Sequence, residues 1–310
     1  MHPQWLDLLR SPITHEILEL ESTCLKDRVG VHRFPITQEG IPVFVNAFCS
    51  EDGLVEMSHY DKVAPRYINN FDEPYTQEYT NYLNREFEKV LHSGNLGNVT
   101  DICCGSGEAL SFLSPRITRG IGVDVSMEML TVARRRNPNP NLLFVQADAT
   151  MLPLADCSFD HVITWGGVHH VNDRLTLFRE IFRILKPGGR FIFREPLNDF
   201  FLWRALREVI YRASPALEAS TEKPLQYAET REKLLKAGFE LTRWTGLGFL
   251  GFFLFLNTHV LILNHIFRYL PGYKSVVRAT SRFDHFVTQK VWNDIGLQVV
   301  GLAEKPVRQN

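Results

Sequence analysis

The sequence predicts an α/β protein, a parallel sheet with helices on both of its faces. Three observations predict it. Short apolar runs alternate with amphipathic helical stretches from about residue 95 to residue 196. A glycine-rich turn, "DICCGSG" (Asp101 to Gly107), separates the first apolar run from the first helix. Acidic residues then close successive runs: Asp101, Asp124 and Asp148. Strands joined by helical crossovers form parallel sheets covered on both faces. Ligands of such sheets sit at the carboxyl ends of the strands.

The elements follow in order. "NLGNVTDICC" is an apolar run entering small residues, and "GEALSFLS" places Ala109, Leu110, Phe112 and Leu113 on one helical face. "RGIGVDVS" is a second strand ending in Asp124, 17 residues after Gly107. "MEMLTVARRR" reads as a helix and "NLLFVQADAT" as a strand ending at Asp148. "FDHVITWGGVHHV" is a strand running into a loop that carries Trp165, His169 and His170. "RLTLFREIFRILKPGG" is an amphipathic helix ended by Pro187 and its glycines, and "RFIFREP" is a strand with Glu195 at its end. A glycine turn between strand and helix lets backbone N–H groups approach a ligand closely. An acid at the end of the next strand can accept both hydroxyls of a ribose. Any one of these acids alone reads as a helix cap or a turn residue. Their order and spacing favour a site. Cys103 and Cys104 before Gly-Ser-Gly admit redox chemistry, a metal, or small side chains in a tight turn.

Composition bounds the function. The chain has 310 residues, 45% hydrophobic and 22% charged, enough for a sizeable core. A net charge of -1 gives no electrostatic footprint for nucleic acid. "MHPQWLDLLRSP" shows no basic start followed by an apolar run, so no signal peptide is expected. Cys24, Cys49, Cys103, Cys104 and Cys157 form an odd, scattered set. Such a set suits a reducing cytoplasm better than a disulfide framework.

Five ordered stretches, "DICCGSG", "GVDVSMEML", "QADATMLPLADCSFDHVI", "VHHV" and "ILKPGGRFIFREP", carry a specific resemblance. The chain resembles the class I S-adenosylmethionine-dependent methyltransferases, in the branch of quinone and small-molecule methyltransferases. The likeness covers residues 95–196. "YAETREKLLKAGFEL" and "LQVVGLAEKP" resemble the helix, sixth strand and antiparallel last strand that follow. The implied fold is a Rossmann-like seven-stranded sheet over residues 95–310, and the implied cofactor is S-adenosylmethionine. Cys103 stands where the family's acid-x-Gly-x-Gly-x-Gly has its first glycine. The resemblance therefore makes the cysteines small turn residues. The implied cofactor set is Asp101 for the methionine amino group, Gly105 and Gly107 for the turn, Asp124 for the ribose, and Asp148 with Ala149 for the adenine. Cys103, Ser106, Val125 and Trp165 complete it. The implied base candidates are His169, His170 and Glu195. "SHYDKVAPRY", with Tyr60 and Tyr67, resembles the family's N-terminal lid, expected over residues 51–94.

Residues 1–50 resemble a degenerate zinc ribbon, through "FPITQEGIPV" and a starting "SP". Ser11-Pro12-Ile13-Thr14 replaces the expected Cys-Pro-x-Cys, and Cys24 is the thiolate that remains. Structural zinc takes four nitrogen or sulfur ligands, so a metal-free β-rich segment is expected, with His15 and His32 the other candidate ligands. Insertions are expected at about residues 198–225 and 247–292, helical and over the active site. The second has no Asp, Glu, Lys or Arg from Trp244 through Phe267. Asn257, His259, Asn264 and His265 interrupt it, and it lies between two strands of one sheet. An apolar cover carrying Phe249 and Phe253 toward a substrate fits better than a span. A peripheral membrane contact or a dimer contact through residues 247–270 fits the same apolarity. The expected function is methyl transfer to a small lipophilic or aromatic acceptor at oxygen or carbon, with no nucleic acid, in the cytoplasm or at a membrane. Amino transfer to a quinone, or a non-catalytic scaffold on this fold, are the alternatives.

Overall fold

The computed structural model describes residues 1–28, 30–213, 222–256, 267–269, 271–291 and 295–307. The N-terminal segment forms a small antiparallel sheet of β1 (Leu18–Glu21), β2 (Cys24–Asp27) and β3 (Arg33–Pro35). Two helices follow, α1 (Glu51–Phe71) and α2 (Pro74–Glu88). The alternating core then runs β4 (Asn98–Ile102), α3 (Glu108–Leu113), β5 (Arg119–Asp124), α4 (Met127–Arg136), β6 (Leu142–Gln146) and β7 (Phe159–Trp165). It continues with α5 (Arg174–Ile184), β8 (Leu185–Pro196), α6 (Phe201–Ala213), α7 (Tyr227–Ala237), β9 (Glu240–Leu247), α8 (Tyr273–Phe286) and β10 (Gln298–Glu304).

The seven strands lie in the order β6-β5-β4-β7-β8-β10-β9. Strands β4 to β8 pair in parallel, and β10 is antiparallel to both of its neighbours. This is the helix-covered sheet that the strand–helix alternation predicts, with the seven Rossmann-like strands and antiparallel last strand that the resemblance implies. Across the sheet, the strands from β6 to β10 are largely buried on both faces, as a doubly covered sheet requires, while the edge strand β9 is mostly exposed or half-buried. On β6, Leu143 and Val145 join the cluster containing Leu177, Phe178 and Ile181 of α5, while Leu142 and Phe144 join the one containing Leu110 of α3 and Leu130 of α4. On β8, Phe191 and Phe193 face the first cluster and Ile192 the second.

One boundary differs from the sequence reading. Helix α5 stops at Ile184, and Leu185 is already extended (φ -70°, ψ 139°) and paired to Phe159. Pro187 disfavours the helical region for the residue before it, so the chain leaves the helix ahead of the proline and enters β8 directly.

The N-terminal module packs on the β6 side of the large sheet. Phe44 N donates to Gln146 O at 2.8 Å and Gln146 N to Pro42 O at 2.9 Å. Arg10 N and Ala155 N exchange similar bonds with Pro153 O and Leu8 O. Trp5, Leu8, Leu9, Leu18, Leu25, Phe34 and Phe44 extend the core of the first cluster. Ser11 is buried and its hydroxyl accepts from Thr14 N at 3.2 Å, closing a turn. Among the described residues no group of three His, Cys, Asp or Glu is placed to share a metal.

The predicted cover over residues 247–270 lies partly outside the described residues. Its described part turns through Phe252–Leu256, and its start is held by Asp284 of α8. That carboxylate accepts from Phe249 N (3.0 Å), Leu250 N (2.9 Å), Gly251 N (2.9 Å) and the Tyr79 hydroxyl (2.9 Å). Among the described residues no helix is long and apolar enough to cross a membrane.

Candidate active site

The turn after β4 requires left-handed backbone three times: at Cys103 (φ 56°), Gly105 (φ 52°) and Gly107 (φ 81°). At Gly107 a Cβ would lie 2.9 Å from Asn137 Nδ2 and 3.2 Å from Ala133 Cβ, so glycine is needed both for its torsion and for close packing of α3 on α4. Cys103 bears the left-handed torsion with a side chain, at a cost of about 1–2 kcal/mol. Burial, reinforced by Asp124, pushes both the Cys103 and Cys104 thiols well up from their ordinary value. Both cysteines are free, and such thiols stay protonated and unreactive.

Three acids surround this turn. Asp124 accepts from Gly105 N at 2.8 Å and Ser126 N at 2.9 Å, one on each oxygen. Burial raises its carboxyl pKa and those two N–H groups oppose the rise. A carboxylate offers about four acceptor positions, so two remain on Asp124. Asp101 is buried, and its Oδ1 has no partner among the described residues. Burial first, then Glu108 and Asp124, hold its carboxyl pKa well up. Asp148 differs. Its Oδ2 takes the N–H (2.8 Å) and hydroxyl (2.6 Å) of Ser50, and its Oδ1 takes those of Thr150 at 2.8 and 2.6 Å. All four of its positions are used.

A cavity of about 350 Å³ opens at these strand ends. Gly105, Asp124, Val125, Asp148 and Ala149 line one wall, and Cys103, Trp165 and His170 line it further along. Helix α1 closes it with Glu56, Tyr60 and Tyr67. Ser106 and Gly107 face a neighbouring cleft of about 320 Å³, which Trp165 also lines, and the Ser106 hydroxyl donates to Glu108. Asp101 lies beneath the turn, outside the lining of either space.

The two histidines play different parts. His170 Nε2 is 3.0 Å from the Tyr60 hydroxyl, and its Nδ1 is 3.3 Å from Glu56 Oε2. Burial is the largest single influence and disfavours the charged ring; Glu56, helped by Glu222 and Glu195, outweighs it, and the net shift is upward. His169 stacks on His170 with centroids 4.0 Å apart. Burial and the neighbouring His170 lower its pKa against the pull of Glu195. Burial keeps the Tyr60 and Tyr67 phenols neutral by raising both pKa values.

The structure places four of the expected site residues, Glu195, His169, Phe249 and Phe253, away from the cavity wall. Glu195 is fully buried and does not line the cavity. Its Oε1 accepts from Gly167 N (2.9 Å) and Val168 N (3.0 Å), and its Oε2 meets His169 Nδ1 at 2.9 Å and His169 N at 3.4 Å. A carboxylate so engaged orders the turn after β7 and has no position left for an acceptor's proton. His169 likewise points at Glu195 and is absent from the cavity wall. Phe249 and Phe253 do not line the cavity either: Phe253 meets Trp203 of α6 edge-on at 4.7 Å, and Phe249 approaches Phe200 at 6.4 Å. Apolar rings on the two insertions satisfy each other and form a separate layer.

Two contributors were missed in the sequence. Glu56, Tyr60 and Tyr67 stand at i, i+4 and i+11, one face of α1, so Glu56 was recoverable from the lid's helical spacing. Ser50, followed by Glu51 and Asp52, carries the signal of a helix N-cap, and its hydroxyl accepts from Gly53 N at 3.0 Å. Its second role, holding Asp148, needed the fold.

Residues 100–193 match the family described as "Methyltransferase domain". That stretch is a methyltransferase domain. The chain is 38% identical over 101 residues to a demethylmenaquinone methyltransferase of Lactococcus lactis, covering 31% of this chain and 40% of that protein. It is 27% identical over 203 residues to phthiotriol/phenolphthiotriol dimycocerosates methyltransferase 1 of Mycobacterium ulcerans, covering 63% of this chain and 70% of that one. Several curated relatives are spanned over only half their length or less. Among solved structures, a chain from the complex of the Haloferax volcanii Trm112 methyltransferase activator with a methyltransferase superposes with TM-score 0.55 at 22% identity. It covers 80% of this chain and 97% of that one, a likeness of fold. The cofactor of the methyltransferase domain is S-adenosylmethionine. The residues present fit it: Asp101 Oδ1 is a buried acceptor without a partner among the described residues, and Asp124 keeps acceptor positions on the cavity wall.

Proposed function

We propose that the protein methylates a lipophilic acceptor at an oxygen or an acidic carbon, with His170 taking the proton. The observation that carries this reading is the Glu56–His170–Tyr60 group on the wall of the cavity that Asp124 also lines. S-adenosylmethionine, when bound, supplies a methyl group already activated on a sulfonium. The chain's own work is then positioning and proton handling. Asp124 would hold the ribose, and Asp101 the methionine ammonium. Asp148 would accept from the adenine amino group only when the Ser50 hydroxyl gives up one of its four positions. His170 would accept the proton at Nε2 in place of the Tyr60 hydroxyl, and Glu56 across the ring would stabilise the cation formed. Relatives named for demethylmenaquinone, 2-phytyl-1,4-beta-naphthoquinone and phthiotriol dimycocerosates support an apolar acceptor. The N-terminal sheet would serve this domain as a metal-free support for the loop that carries Asp148.

The test is incubation with methyl-labelled S-adenosylmethionine and a total lipid extract, read by mass spectrometry. An apolar product carrying the label, formed by the wild type and strongly reduced in His170→Ala, is expected. A protein that binds S-adenosylhomocysteine but labels only polar metabolites would overturn the lipophilic reading. One that binds no S-adenosylhomocysteine would overturn the activity itself.

A further inference from the structure

We propose that the outer face of α8, with the turn continuing it to Val291, docks on an anionic lipid bilayer surface. Helix α8 faces the core through Val277, Ser281, Asp284 and, beyond its end, Thr288, all buried and spaced i, i+4, i+7, i+11. Its opposite face is apolar as well. Val276, Phe283, Phe286 and Val291 are 39%, 48%, 57% and 60% exposed. Single exposed apolar residues are ordinary, but four along one side of one element form a patch that calls for an occupant.

Charge selects the occupant. Between Glu240 and Asp294 the sequence carries Arg243, Arg268, Lys274, Arg278, Arg282 and Lys290 against one acid, Asp284. That acid is buried and accepts four hydrogen bonds. In a chain of net charge -1 this is a concentrated basic segment. Arg278 pairs with Glu78 of α2 at 2.7 Å; Lys274, Arg282 and Lys290 are exposed and make no ion pair among the described residues. A basic helix with an exposed apolar face lies readily in the headgroup region of anionic lipid. The same face on a second copy, meeting it across a two-fold axis, would bring cation against cation. Asp284 also ties α8 to the 249–251 turn, which adjoins α6 through Phe253 and Trp203. The turn that continues α8 meets the end of β9, where Gln289 Nε2 donates to Gly246 O at 2.7 Å, so the docking element reaches the end of the sheet that holds the cavity. The geometry stands without the proposed chemistry; the lipophilic acceptor reading gives it a purpose.

The test is flotation of the purified full chain with vesicles of phosphatidylcholine alone and of an equimolar phosphatidylcholine–phosphatidylglycerol mixture. Preferential binding to the anionic vesicles, weakened by salt, is expected. The double variant Phe283→Ser, Phe286→Ser should bind them about tenfold more weakly. Arg282→Glu with Lys290→Glu should abolish the preference for anionic lipid. Circular dichroism and calorimetric S-adenosylhomocysteine binding should be unchanged in both. Equal vesicle binding by wild type and variants, or none by the wild type, overturns the proposal. So does a dimer, seen in sedimentation equilibrium, that the phenylalanine variant dissociates. Flotation reads docking and calorimetry reads the cofactor, so failure of one leaves the other standing.

Discussion

Glu195 is a base candidate in the sequence, while in the structure its carboxylate accepts from the turn after β7, and replacing it separates catalysis from ordering. Glu195→Ala strands the N–H groups of Gly167 and Val168 and the Nδ1 of His169, all in a buried setting. A buried donor left without its acceptor costs about 1–3 kcal/mol, so three of them, with some relief from water entering the space, come to about 3–5 kcal/mol. At about 1.5 °C per kcal/mol for a chain of this size, the midpoint of thermal unfolding should fall by about 5–8 °C. Glu195→Gln keeps the volume and one acceptor oxygen, and the amide can donate to His169 in its other tautomer; its cost should be about 1 kcal/mol. Urea unfolding with an unchanged m-value gives both numbers. The pH dependence has a fixed sign. Burial opposes it, yet the His169 and backbone bonds hold the Glu195 carboxyl below its ordinary value of 4.5. Its stabilisation is therefore present above that value and lost as pH falls through the lower, folded value. The gap between wild type and Glu195→Gln should close in acid. If Glu195→Gln stays as stable as wild type, binds S-adenosylhomocysteine normally and yet transfers no methyl group, the carboxylate acts in the chemistry and the ordering role is refuted.

Asp124→Ala should weaken S-adenosylhomocysteine binding at least several-fold, since it leaves ribose hydroxyls unpaired; unchanged calorimetric affinity would sink the cofactor assignment. Glu56→Gln should lower the pKa of His170, because the Glu56 charge is what lifts it against burial; histidine NMR titration reads this without any acceptor, and an unmoved titration would contradict the pairing. Gly107→Ala should destabilise the protein by about 1–3 kcal/mol and abolish cofactor binding, since its Cβ would press on Asn137 and Ala133 in a torsion that alanine disfavours. The purified protein should hold no stoichiometric zinc; elemental analysis finding about one metal per chain, lost to a chelator together with stability, would refute that.

The parts of this fold legible in the sequence are those fixed by local pattern. The turn from Asp101 to Gly107, the helix Met127–Arg136 and the strands ending near Asp124 and Trp165 each carry their own periodicity and punctuation. What was not legible depends on which distant groups meet. No spacing says that Asp284 will collect three N–H groups from residues 249–251, 33 to 35 positions away. Nor does it say that the last residue of the N-terminal segment, Ser50, will fill Asp148, 98 positions on. The surroundings of Glu195 were hidden for the same reason. Its position at a strand end is that of a catalytic carboxylate, and only the backbone of residues 167–169 shows its acceptor positions already taken.

The junction between Pro42–Phe44 and Gln146 bears on how the chain behaves in a crowd. Strand β6 is the terminal strand of the sheet, and a terminal parallel strand rich in Leu, Phe and Val is a template on which another chain can grow. Here the chain's own N-terminal module blocks that growth with a short parallel contact and then turns away into α1. Cutting the module off would do more than remove a small sheet. It would bare a sticky margin of hydrogen-bonding groups and the apolar faces of Leu143 and Val145 behind it, so a truncated domain should clump at concentrations where the whole chain stays dispersed.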